Sequence, residues 1–247
     1  MLEELASQAF WVGLAKIIGV NVILSGDNAV VIALAARSLP PHQQKKAVFW
    51  GAGAAVILRI ILTIFAAALL TLPYLKIIGS LLLFWIGVKL LIPEEGEDDI
   101  KASDQLFAAI KTILIADLVM SLDNVIAVAA AAGGSYVLLI LGLAISIPLV
   151  IFGATLLIKL MERFPVIITL GAGLIGWVAG EMLVADSGLK GWLGGMGVEY
   201  RGEVPYVGGW SLEIIAAIIG FAIVVVVGKW LGGRKEGAAE APADIPK

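Results

Sequence analysis

Residues Ile17–Asn28 read IIGVNVILSGDN, and residues Ile113–Asn124 read ILIADLVMSLDN. A single shift of 96 residues lays Ser25 on Ser121, Asp27 on Asp123 and Asn28 on Asn124. Asn21 falls on Asp117, and Ala33, Ala35 and Ala36 fall on Ala129, Ala131 and Ala132. Alanine matches carry little between two alanine-rich stretches; two Ser-x-Asp-Asn motifs inside apolar runs carry the repeat. A second shift, of 92 residues, lays Gly79 on Gly171, Trp85 on Trp177, Lys89 on Glu181 and Glu94 on Asp186. Unequal loops account for the change of shift. The chain reads as two copies of a three-helix unit plus a seventh helix. Three spans per copy would turn the second copy upside down. Secondary transporters use such an inverted repeat to hold a site at the midplane.

Composition puts these motifs in a membrane. The 247 residues are 60% hydrophobic and 15% charged, with mean hydropathy +1.02. Soluble domains are about 45–50% apolar and about 25% charged. Seven apolar segments stand out: about Phe10–Ala36, Ala47–Leu70, Tyr74–Ile92, Leu106–Ala132, Tyr136–Ile158, Phe164–Val184 and Leu212–Leu231. Lipid leaves backbone groups no partner outside the segment, so these are helices. The ten-residue alternation of a membrane barrel is absent. The predicted fold is an all-α polytopic membrane helix bundle, one transmembrane domain over residues 1–232. Repeat one spans about 10–92, repeat two about 106–184, and the extra helix about 212–231; residues 233–247 are expected to be a disordered tail. The acidic start Met1-Leu2-Glu3-Glu4 does not suit a signal peptide, so the first apolar stretch is expected to stay as a span.

Orientation follows from basic residues. With the N-terminus outside, 12 of the 17 Lys and Arg fall inside and three outside, with Lys16 and Arg59 left within helices. N-out and C-in is expected. The net charge of −3 and the lack of a basic stripe give no support for nucleic-acid binding. The absence of cysteine removes disulfides, thiolate metal sites and thiol redox chemistry.

Asp27, Asp117 and Asp123 all lie inside apolar runs. A carboxylate facing lipid costs about 2.5–3.5 kcal/mol each even on a lenient scale, so all three must face a wet or paired interior. At 3.6 residues per turn, Asn21, Ser25 and Asn28 share one helix face, as do Asp117, Ser121 and Asn124. Gly26 is expected to allow local unwinding beside Asp27, freeing carbonyl oxygens; Leu122 in its place predicts a straighter second motif. Carboxylate, amide and hydroxyl oxygens suit hard divalent cations such as Mg²⁺, Ca²⁺ and Mn²⁺. Interhelical pairing of these polar groups is the plainer alternative. Arg59, in mid-span, would pair with an aspartate of an empty site or hold the fold together. Glu181 and Asp186 are placed at the outer mouth, or at an ordinary solvated helix end. His42, beside Pro41 in a basic loop, is not a ligand candidate. Gly176 and Gly180 are expected to allow close helix packing.

With Ser25-Gly-Asp-Asn-Ala, Ser121-Leu-Asp-Asn-Val and Trp177…Glu181-Met182 in place, the chain resembles the TerC family, and in it the short YjbE-type members, over about Phe10–Leu231. That family belongs with the LysE-like exporters and is linked to manganese efflux, to metal supply for exported proteins and, by name, to tellurium resistance. The resemblance implies Asp27, Asn28, Asp123 and Asn124 as the core metal site, with Asp117 and Glu181 near it and Asn21, Ser25, Ser121 and Arg59 in support. Asp117 against Asn21 makes the halves unequal.

These readings combine into a secondary transporter of the bacterial cytoplasmic membrane that exports a hard divalent cation, Mn²⁺ first. Lipid, the metal ion and protons as coupling ion are its expected partners, with a homo-oligomer open. No permanent cofactor is expected. No nucleophile–base set suggests an enzyme, and no phosphate-binding loop suggests an ATP-driven pump. The rival is a membrane scaffold or metal-loading partner in metal or tellurium resistance that transports nothing itself. A retinal-type protein would want a lysine in the middle of the last span, whereas Lys229 is near its inner end.

Overall fold

The computed structural model describes residues 8–65, 72–92, 102–202 and 204–239. The first apolar segment forms two helices, α1 (Gln8–Leu24) and α2 (Gly26–Ala36). Then come α3 (Pro41–Ile64), α4 (Leu75–Leu91), α5 (Ala102–Ala132), α6 (Tyr136–Arg163) and α7 (Val166–Val184). A short connection follows, and α9 (Leu212–Ala239) ends the described chain. The bundle is all-α and polytopic. Helices α3, α5, α6, α7 and α9 are long and apolar enough to cross a bilayer, and α1 with α2 qualifies as one span bent by 50°. Helix α4 has 17 residues, about 25 Å at 1.5 Å per residue, against a core of about 30 Å. Among the described residues, five helices are long enough to span and a sixth span is counted if the bent pair is one; α4, the expected third span, falls short of that length.

The outer surface is apolar. Trp11, Trp50, Ile23, Phe107, Phe152 and Val226 are all more than half exposed, as suits side chains whose solvent is lipid. Inside, glycines set the helix spacing. Gly51 of α3 faces Ile113 of α5, and Gly142 of α6 faces Ile17 of α1. Ile17 and Ile113 are equivalent under the 96-residue shift. Gly79 of α4 lies on Val119 of α5, while Gly171 of α7 lies on Val30 and Leu34 of α2. Helices of each half thus pack on the first helix of the other half. The tightest seam joins α7 to α9. A Cβ at Gly180 would fall on the Ala216 carbonyl, and one at Gly176 on the Gly220 carbonyl. The expected close packing at Gly176 and Gly180 is present, and its partner is α9.

Two expectations change in this part of the chain, at the tail and at Asp186. The glycine-rich Asp186–Trp210 connection forms a 3-10 turn (Ser187–Leu189), α8 (Lys190–Gly195), and a three-stranded antiparallel sheet. Its strands are β1 (Glu199–Arg201), β2 (Val204–Val207) and β3 (Trp210–Ser211). The tail expected to be disordered from residue 233 begins instead as helix, since α9 runs to Ala239. Arg234 stacks over Trp230 at 3.9 Å and helps extend the last turns. Residues 240–247 lie outside the described chain.

Asp186 is the second correction. It is 1% exposed, not a solvated helix end or a mouth residue. Its Oδ1 accepts the N–H groups of Tyr74 and Gly188 at 2.9 and 2.7 Å, and its Oδ2 those of Lys76 and Ile77 at 2.9 and 3.3 Å. The carboxylate satisfies donors left over at the start of α4 and complements the positive end of that helix. Tyr74 has φ 67° and packs where any side chain at 188 would stand, so Gly188 is required there. Asp186→Ala is expected to destabilise the protein by about 2–4 kcal/mol, because buried donors lose a charged acceptor. Thermal unfolding in detergent checks this. The matching Glu94 lies outside the described residues.

Candidate functional site

The site is built around the break between α1 and α2. Ser25 has φ −108° and ψ 3°, outside the helical well, and it ends α1. Gly26 starts α2 with no positive φ, and a Cβ there would meet nothing, so crowding does not force the break. Weak helix propensity of a Ser-Gly pair permits it. At the equivalent place α5 runs unbroken through Ser121, Leu122, Asp123 and Asn124. One motif is bent and the other straight, as the Gly26–Leu122 difference led us to expect.

A buried polar network fills the space between them. In the first half, Ser25 Oγ donates to Asn21 Oδ1 at 3.4 Å; in the second, Ser121 Oγ donates to Asp117 Oδ2 at 3.2 Å. These are the same bond at equivalent positions. Arg59 of α3 joins the two pairs. Its Nη1 donates to Asn21 Oδ1 at 2.8 Å and to Ser25 Oγ at 3.2 Å. Its Nε donates to Ser121 Oγ at 3.0 Å, and its Nη2 makes an ion pair with Asp117 Oδ1. Arg59 is 3% and Asp117 5% exposed. Removing one partner of such a buried pair costs about 3–5 kcal/mol. Asn21 Nδ2 also donates to Ser146 Oγ of α6, two residues before Pro148. Ser146 was missed by sequence reasoning, since a lone serine in an apolar helix gives little signal.

The Asp-Asn residues are held more loosely. Asp27 Oδ1 accepts the N–H of Asn28 at 2.8 Å. Asn28 is 3% exposed, and neither its Oδ1 nor its Nδ2 has a partner among the described residues. Asn28 is buried like Asn21 and Ser25, but takes no part in their hydrogen bonds. Asn124 Nδ2 reaches across to the Leu24 carbonyl at 3.3 Å, a group the break has released. Asp123 follows Leu122 in the backbone of α5; its side chain lies outside the described residues. Glu181 of α7 accepts the Trp177 Nε1–H at 2.8 Å, and no hydrogen bond among the described residues ties it to the aspartates. Among the described residues no three His, Asp or Glu side chains gather. Any cation held here would draw on amide and backbone oxygens beside carboxylates, a donor set suited to hard ions.

Comparison with known proteins agrees with this architecture. Residues 6–236 match the integral membrane protein TerC family. The membrane protein YjbE of Bacillus subtilis is 44% identical over 181 residues, 73% of this chain and 83% of the relative. The membrane protein YceF of the same organism is 27% identical over 239 residues, 91% and 84% of the two chains. The inner membrane protein YoaE of Escherichia coli is 30% identical over 145 residues, 51% of this chain and 28% of its own. No solved structure matches. A multi-pass bundle, apolar outside and polar at its centre, together with a family match over nearly its whole length, identifies this chain as a member of the TerC family of integral membrane proteins.

Proposed function

We propose that the protein is a secondary-active transporter that exports a hard divalent cation, Mn²⁺ first, from the bacterial cytoplasm. The cation passes through a site formed by Asp27 and Asn28 of α2 with Asp123 and Asn124 of α5. The observation that carries this reading is Asn28. A buried amide with neither oxygen nor nitrogen bonded among the described residues is costly, by about 1–3 kcal/mol per unsatisfied group. A ligand that used its oxygen would remove that cost, and the neighbouring Asp27 carboxylate makes a cation the fitting ligand. The break at Ser25 supports the same reading, since discontinuous helices coordinate ions in transporters. The packing of Ile17 and Ile113 against glycines of opposite halves supports the inverted repeat.

Expelling a divalent ion against an inside-negative potential costs about 4.6 kcal/mol per 100 mV, at about 2.3 per charge. Coupling is needed, and we assign it to proton exchange at the same carboxylates. The membrane is the bacterial cytoplasmic one, with the N-terminus outside. Purified protein in liposomes is expected to carry Mn²⁺ down an imposed gradient, with a proton gradient accelerating it. Zinc and copper are expected to compete weakly. Absence of flux together with a stable protein complex would overturn transport in favour of a scaffold or metal-loading role.

A further inference from the structure

Arg59 stands out because the motif equivalence does not account for it. The matching helix of the second half, α6, carries no charged residue before Lys159. The same comparison shows one place in the network where the halves differ in charge: Asn21 in the first, Asp117 in the second. The structure puts the two departures on each other. The extra guanidinium of one half is ion-paired to the extra carboxylate of the other. Four hydrogen bonds go from Arg59 to Asn21, Ser25, Asp117 and Ser121, which leaves it little capacity to turn elsewhere. Asp117 in turn holds Arg59 with one oxygen and Ser121 with the other.

We infer that Arg59 is a specificity-determining positioning residue: it takes Asp117 out of the ligand set and holds the hinge at Ser25, leaving Asp27 and Asp123 to the cargo. The inference rests on the cation-site reading above. Asp27, Asp117 and Arg59, with Asp123 assigned to the site by the sequence repeat, carry a formal charge of −2. One divalent cation cancels it; a monovalent ion leaves a residue of negative charge, and a trivalent ion overshoots. Because the centre is buried, a charge mismatch is weakly screened and is felt in affinity. Arg59 also bonds both Asn21, in the last turn of α1, and Ser25, at the break itself, so the bend that presents Asp27 and Asn28 is tied to the same guanidinium.

The test uses the full chain in detergent, with Mn²⁺ and Tb³⁺ as probes, calorimetry for Mn²⁺ and luminescence for Tb³⁺. Arg59→Gln frees the Asp117 charge and is expected to shift the Tb³⁺-to-Mn²⁺ affinity ratio toward Tb³⁺ by about tenfold or more. The paired variant Arg59→Gln/Asp117→Asn restores the charge of −2 and is expected to return the ratio to within about threefold of the parent. A second pair, Arg59→Met/Asp117→Leu, replaces the ion pair by apolar bulk, a change that buried pairs often tolerate, and is expected to behave alike. A structural role alone would move stability and leave the ratio unchanged. A ratio unmoved in Arg59→Gln overturns the inference. So does a folded paired variant that has lost Mn²⁺, which would make Asp117 a ligand. If the parent itself binds neither ion, the cation-site reading fails, and this inference falls with it before any variant is compared.

Discussion

Asp27→Asn is expected to lower Mn²⁺ flux in liposomes by about a hundredfold or more while the protein stays folded. The substitution keeps the shape of the side chain and the bond from the Asn28 N–H, because an amide oxygen can accept it. It removes one of the two charges that the proposed site assigns to the cargo. Losing a charged ligand in a poorly screened setting costs about 3 kcal/mol or more, which is about two powers of ten in an equilibrium constant. Asp27 makes no ion pair among the described residues, so the change should not unfold the bundle. Flux within about threefold of the parent, measured with a Mn²⁺-quenched dye inside the vesicles, would exclude Asp27 from the cation path.

Gly180→Leu is expected to have the largest effect on the fold. At Gly180 the backbone of α7 lies against that of α9, and Gly220 of α9 lies against Gly176 in return. No side chain of either helix can yield, because the atoms met are main-chain carbonyls. The two helices must separate, and the dispersion contacts along the whole seam go with them. The protein should be lost from the membrane fraction or elute as aggregate. Gly53→Leu is the control, since a Cβ there meets nothing. Equal yield and equal thermal midpoints for the two variants would contradict the seam.

The bundle was readable from the sequence because lipid imposes one rule. Every long apolar run must be helical, so the segments emerge as helices with most ends within a few residues; charged turns extend the start of α3 and the ends of α6 and α9, and the expected end of the second segment at Leu70 lies outside the described residues. The break was readable too, from one glycine that its counterpart lacks. Partner choice was not. Asp186 caps α4 from 109 to 112 residues away, and nothing near it names those donors. Arg59 had three candidate aspartates, and only the packing of α3 against α5 selects Asp117. The sheet in the connection after α7 was hidden by glycines, which suit tight turns between short strands as well as loops; Gly202, Gly208 and Gly209 all have positive φ there.

The buried ion pair also sets a timetable for synthesis. Arg59 and Asp117 are 58 residues apart, so at about 5–20 residues per second the arginine waits roughly 3–12 s for its carboxylate. If α3 enters the bilayer before α5 is made, its lone cation costs about 2.5–3.5 kcal/mol there. Asn21 and Ser25, made 38 and 34 residues earlier, are already there to receive its Nη1. The bent first helix thus offers the arginine two acceptors made before it, and α5 adds the carboxylate last.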